Sequence, residues 1–146
     1  MSVGHDRPVA EPVISFPRQR AVTRSFRLGA PRAFRIVRRR DGSARVFFIR
    51  SRDGRTASGD LWVADQSDHW RERLLVEASS LGVDGEIPAA ERARRERLRE
   101  VTAGITAFSS DRYGENVAFA VDGVPYRVDV DAQHAVELAH PGPVVD

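Results

Sequence analysis

Residues 115–130, ENVAFAVDGVPYRVDV, alternate with a period of two on either side of a single break at Asp122-Gly123. Val117, Phe119 and Val121 share one face of an extended segment, and Ala118 and Ala120 share the other. Neither face is polar, which predicts a central strand covered on both sides. Asp-Gly supplies the two positions that most readily take positive φ in a tight hairpin, and the chain then resumes as VPYRVDV. There Tyr126, Val128 and Val130 alternate with Arg127 and Asp129, the pattern of a strand with one wetter side. Pro125 suits a first strand position, where its missing N–H does little harm.

The same pattern occurs earlier in the chain. RRRDGSARVFFIRS (38–51) places a turn at Asp41-Gly42 before an apolar strand, and DLWVAD (60–65) and RERLLVE (71–77) follow a polar loop. Val46 and Phe48 match Val117 and Phe119, and Asp65 answers Asp129. Each copy reads as four short strands: 33–37, 45–50, 60–65 and 72–76, then 105–108, 116–121, 124–129 and 135–138. Repeated four-stranded antiparallel units are the mark of β-propeller blades, which recur at about 40–45 residues in the commonest repeat classes. Here the interval is longer because of an insertion over about 78–104. The expected fold class is all-β: two four-stranded antiparallel blades of an incomplete β-propeller, with one charged helix inserted between them. Two generic meanders of a small sandwich fit the same pattern.

In the insertion, EIPAAERARRERLREVTAG, Pro88 suits a first helical turn and Gly104 a stop. Glu91 and Arg95, and Arg92 and Glu96, lie four apart and support one another along a helix. The apolar stripe is thin (Ile87, Ala90, Leu98, Val101), so the helix is mostly solvated. It is either a charged connector or an exposed arm that presents Arg side chains.

Composition narrows the chemistry. At 146 residues the chain is of single-domain size, with residues 1–15 reading as a flexible N-terminus. It has no Cys, which excludes disulfides, thiolate metal sites and thiol nucleophiles. No run of about 18 apolar residues suggests a membrane span, and no apolar secretory segment opens the chain, so a cytoplasmic setting is expected. All 23 basic residues are Arg. Residues 1–60 carry 14 Arg against 5 acids and residues 61–146 carry 9 against 16, which marks either a nucleic-acid face or two surfaces that meet each other. A net charge of only +2 and the lack of a nucleic-acid module favour the second. No Gly-x-Ser-x-Gly elbow occurs, and His5, His69, His134 and His140 lack metal-ligand spacing, so neither a catalytic constellation nor a cofactor is expected.

FPRQRAVTRSFRLGAPRAF (16–34), DLWVAD with RERLLVE, IPAAERARRERLRE with GI (87–105) and the closing PGPVVD resemble, in that order, the N-terminal region of bacterial dipeptidyl peptidase IV-type enzymes of the prolyl oligopeptidase family. The segment close to SPDG in that family is altered in both copies, as RRRDG and SSDRYGE. The resemblance implies that residues 16–146 begin a propeller domain, with blade-like units at about 33–77 and 105–138. In the family this domain is followed by an α/β-hydrolase domain with a Ser–Asp–His triad. Carboxylates of the propeller grip the substrate's amino group and so place a peptide bond over that serine. Neither the paired glutamates nor the hydrolase domain is in this sequence. The chain alone is therefore expected to be inactive, with peptide substrate bound only in a full-length enzyme, through the hydrolase domain as partner. The resemblance also allows a homodimer of that enzyme. It further implies that an arginine of the charged helix reaches the bound peptide; Arg94, Arg95, Arg97 and Arg99 are the candidates. A free-standing propeller-type interaction module without activity is the alternative.

Overall fold

The computed structural model describes residues 15–25, 27–56, 58–81 and 104–139. A seven-residue helix, α1 (Phe16–Val22), buries none of its side chains. Eight strands follow: β1 (Arg32–Arg38), β2 (Ala44–Arg50), β3 (Asp60–Asp65), β4 (Glu72–Val76), β5 (Phe108–Ser110), β6 (Asn116–Val121), β7 (Val124–Asp129) and β8 (His134–Glu137). They form two four-stranded antiparallel sheets, each with its strands in sequence order, β1-β2-β3-β4 and β5-β6-β7-β8. Neither sheet closes on itself. Among the described residues no helix is long and apolar enough to cross a membrane.

Seven of the eight strands lie within a residue of their predicted bounds. The exception is the first strand of the second unit, expected at 105–108 and found at 108–110. Ile105 is diverted: its N–H donates to the Gly59 carbonyl at 2.8 Å, beside a parallel bridge between Gly59 and Gly104. The chain therefore touches the first sheet before it turns into the second. The two Asp-Gly turns also differ. Asp122 and Gly123 both take positive φ, 52° and 79°, and join Val121 to Val124 directly, the two-residue hairpin their sequence predicts. At the earlier turn Gly42 alone has positive φ, and the bonds Arg39 N–H to Ser43 O and Gly42 N–H to Arg39 O close a three-residue loop. The predicted helix within 78–104 falls on residues 82–103, outside the described residues; the described part of that insertion is a 3-10 turn, Ala78–Leu81. The helix that is described, α1, was not foreseen.

The core lies between the sheets. Val37, Phe47, Ile49, Leu61 and Val63 of the first sheet meet Val117, Phe119, Val121, Tyr126, Val128 and Val130 of the second, and Ile105 is sealed among them. Phe47 and Phe108 touch edge to face across the gap, with ring centroids 6.1 Å apart.

The sheets meet by opposite faces. In a strand of L-residues, the face a side chain occupies and the direction of its own N–H and C=O are linked. On β2 the inward residues Arg45, Phe47 and Ile49 have the parity of Ser43, whose carbonyl accepts from Arg39, so their backbone groups point back to β1. On β6 it is the Asn116 carbonyl that accepts from the N–H of Asp111, just past the end of β5. The inward Val117, Phe119 and Val121 therefore point forward to β7. Equivalent strands thus present different faces to the shared core, as in a stack of like units and unlike a two-fold sandwich. The expected cover on both sides of β6 is not found: Ala118 is exposed and Ala120 half-buried, because no described element packs on that face.

Gly114 shows how tightly the units approach. Its φ is +67°, and a Cβ there would lie 2.5 Å from Val37 Cγ2 and 3.2 Å from Phe47 Cε2, whereas one on Gly42, at φ +83°, meets nothing. Gly42→Ala is expected to cost about 1–2 kcal/mol from backbone strain alone. Gly114→Ala is expected to add about 1–3 kcal/mol of overpacking. Urea unfolding of the two variants measures the difference, and equal losses would show that the sheets do not clasp around Gly114.

Candidate functional site

The most highly organised polar group sits at one end of the interface between the sheets. Arg45 opens the apolar run of β2 on its inward face and is 1% exposed. Directly across the ladder stands Asp65, the last residue of β3. Arg45 Nε and Nη2 donate to the two Asp65 carboxylate oxygens at 2.5 and 3.1 Å. Its Nη1 donates to the Gly114 carbonyl at 2.7 Å, and Nη2 also reaches Asp131 Oδ1 at 2.8 Å. The Asp65 bonds stay within the first sheet; the others cross to the second. Around this centre Arg73 donates to the Val130 carbonyl at 3.2 Å and lies 3.7 Å from Asp65, and Arg39 lies 3.8 Å from Asp131. Arg40 grips both oxygens of Glu115 and stacks 4.2 Å over the Tyr113 ring. Burial opposes the charge on Arg45, but the hydrogen bonds it donates to Asp65 and Asp131 outweigh it and raise its pKa. The hydrogen bond from Arg45 holds the Asp131 carboxyl below the usual carboxylate range.

This seam explains part of the uneven charge along the sequence: arginines of the first unit meet acids of the second. With four donors engaged, Arg45 is committed to holding the units together, so the seam's chemistry is binding between units. Sequence reasoning passed over Arg45. A signal was available, since an Arg within ARVFFIR takes the inward parity of Phe47 and Ile49 and must find a buried partner.

Arg94, Arg95, Arg97 and Arg99, the residues expected to meet a peptide, lie outside the described residues. The two roots of their segment are described. On the outgoing side, Ala78 N–H donates to Asp60 Oδ1 at 3.0 Å and Tyr126 Oη donates to the Leu81 carbonyl at 3.2 Å. On the returning side, Gly104 bridges Gly59. Both roots are thus fixed on the consecutive residues Gly59 and Asp60, at the entry of β3. Burial pushes the Asp60 carboxyl up, against the hydrogen bond it accepts from Ala78.

The outward face of the first sheet is apolar. Phe34 and Ile36 are 61% and 70% exposed, and Phe34 packs on Phe48 with centroids 5.9 Å apart. Arg50 lies 4.2 Å over the Trp62 ring and donates to Glu72 at 2.7 Å, while Trp62 Nε1 donates to the Arg50 carbonyl at 3.1 Å. An incomplete propeller leads one to expect part of the apolar set Phe47, Phe48, Ile49 and Trp62 in water, but Phe47 and Ile49 point inward and are sealed by the second sheet, and Phe48 is covered by its neighbours. A concavity of about 590 Å³ is lined by Leu28, Gly29, Ala30, Arg50, Ser51, Arg52 and Gly54, but its two arginines are paired with Glu72 and Glu77. Among the described residues no three His, Asp or Glu side chains are grouped to hold a metal ion.

The sequence matches no protein-family model and no curated protein.

Arg45→Ala leaves the buried Asp65 carboxylate without its hydrogen-bonded partner and with only Arg73, 3.7 Å away, and is expected to cost up to about 3–5 kcal/mol in chemical unfolding. The double change Arg45→Met with Asp65→Leu is expected to restore most of that loss, because the two charges need each other more than the fold needs either. A double variant as unstable as the single one would assign Arg45 a role beyond this pair.

Asp131 gives a pH signature. Its folded pKa is lowered, so the stability it contributes is present above its unfolded pKa, near 3.9, and is lost as pH falls through the folded value. Its side chain is 62% exposed, which limits the contribution to below about 1 kcal/mol. Asp131→Asn is expected to lower the melting temperature at neutral pH and to leave it unchanged once wild-type Asp131 is itself protonated. A loss that persists in acid would refute the ionic account.

Proposed function

We propose that this chain is the first part of a β-propeller that positions peptide substrates in a serine dipeptidyl peptidase, the triad being supplied by a hydrolase domain that follows. The observation that carries the proposal is the packing of two like meanders by opposite faces. A unit that meets its neighbour in this way leaves a face of the other kind free for the next unit, which is the relation between successive blades. The ordered blocks of sequence that resemble the dipeptidyl peptidase IV family supply the chemistry. In that reading the segment after Leu81 is an arm over the substrate cavity, and its arginines act as fixed forks of donors for a peptide carbonyl or carboxylate. Its roots, pinned at Gly59 and Asp60, give such an arm a rigid base.

The competing role for these arginines is pairing with Glu91, Glu96 and Glu100 along the segment. The two differ in size: an exposed pair contributes about 0.2–1 kcal/mol to stability, whereas a charge-assisted bond to substrate contributes about 1.5–3 kcal/mol, tenfold or more in binding. The test expresses the reading frame through its downstream region and measures release of an N-terminal dipeptide from a Xaa-Pro anilide. Arg94→Ala, Arg95→Ala, Arg97→Ala and Arg99→Ala are compared one by one, and at least one is expected to weaken kcat/KM by tenfold or more. Variants that all stay within twofold would make the segment a solvated connector. A frame without a Gly-x-Ser-x-Gly block would remove the peptidase reading and leave an interaction module.

A further inference from the structure

We propose that this chain associates head to tail with a second copy of itself, the outward face of the first sheet of one copy seating on the outward face of the second sheet of the next. The inference concerns the chain by itself and does not rest on the peptidase reading.

The internal interface joins one kind of face on the first sheet to the other kind on the second. Among the described residues, what remains open is the complementary pair: on the first sheet the face of the same kind that the second sheet buries, and on the second sheet the kind that the first sheet buries. One molecule therefore carries both halves of a repeat of its own internal contact. Shape agrees. The open face of the first sheet is large and aromatic, with Phe34, Ile36 and Trp62. That of the second is shallow, a floor of Ala118, Ala120 and Pro125 with Val136 on the edge strand beside Arg127. Apolar rings against a small-residue floor interdigitate, whereas two aromatic faces or two alanine floors do not.

Charge selects the same pairing. Residues 15–81 carry 15 Arg against 7 acids, and residues 104–139 carry 2 Arg against 6 acids. Unlike units attract, as they already do inside the chain through Arg40 with Glu115 and Arg45 with Asp131. A symmetric contact between two first sheets opposes two basic units and is disfavoured. A contact of this heterologous kind does not stop at two copies, since each addition leaves the same two faces open, and it grows into a ring or a chain.

Sedimentation velocity and light scattering over a concentration series, at low and high salt, test the proposal with two variants. Ile36→Asp spoils the open face of the first sheet and Ala118→Arg that of the second; both sites are exposed, and Phe34→Asp and Ala118→Gln serve if either fails to give a wild-type circular dichroism spectrum. Wild-type chain is expected to form species larger than a dimer, which high salt weakens. Each variant alone is expected to associate at least about tenfold more weakly, the scale on which truncating an interface centre acts. The two variants mixed are expected to form a 1:1 dimer and nothing larger, because one intact face of each kind remains. A wild-type chain that stays monomeric at its highest soluble concentration overturns the proposal. So does a mixture that remains monomeric, and so does either variant that alone keeps wild-type association, which is the signature of a symmetric contact.

Discussion

A guanidinium with 1% of its surface in water fixes how the two units of this protein lie against each other. An arginine keeps its charge in a folded protein, so burial demands acceptors, and Arg45 takes them from three places along the chain: Asp65 on the neighbouring strand, the Gly114 carbonyl in the β5–β6 connection and Asp131 after β7. Sliding one sheet along the other would break the last two bonds while leaving the first intact. Apolar contact between Phe47, Val63, Val117 and Val128 favours close approach without choosing a position. The position is chosen by the hydrogen bonds.

The opposite end of the interface is set by a different means. There Gly59 and Gly104 bring backbone against backbone, with Ile105 N–H donating to the Gly59 carbonyl. A Cβ on Gly59 would lie 2.6 Å from the Ile105 carbonyl oxygen and 2.8 Å from Ile49 Cγ2. One end of the stack is held by charge and the other by the absence of side chains, and the apolar core fills the space between.

Strand positions were legible because each strand is short, alternating and bounded by turn residues. That signal is local, and it survives in the structure nearly residue for residue. Apart from α1 and the loop at Asp41-Gly42, the misses involve what lies beyond a residue's own sheet. Ile105 reads as strand from its neighbours, but its N–H is taken by Gly59. Ala118 and Ala120 read as covered because alanine is apolar, but what covers a face is a tertiary matter. Arg45 was hidden in an apolar run, since a composition scan counts it as surface charge. The pairing of basic and acidic units was an open alternative in the sequence, and only the geometry of Arg39, Arg40, Arg45 and Arg73 shows where their partners lie. The arginines of the charged segment remain a matter of sequence.

The shared root of that segment has its own consequence for how such a chain can change over time. Ala78 and Gly104 are tied to neighbouring residues, Asp60 and Gly59, so the two ends of the stretch between them are held at nearly one point. Closing a loop there costs only about 0.6 kcal/mol more for each doubling of its length. With its ends already held together, a lineage can lengthen, shorten or replace the stretch at little cost in chain entropy.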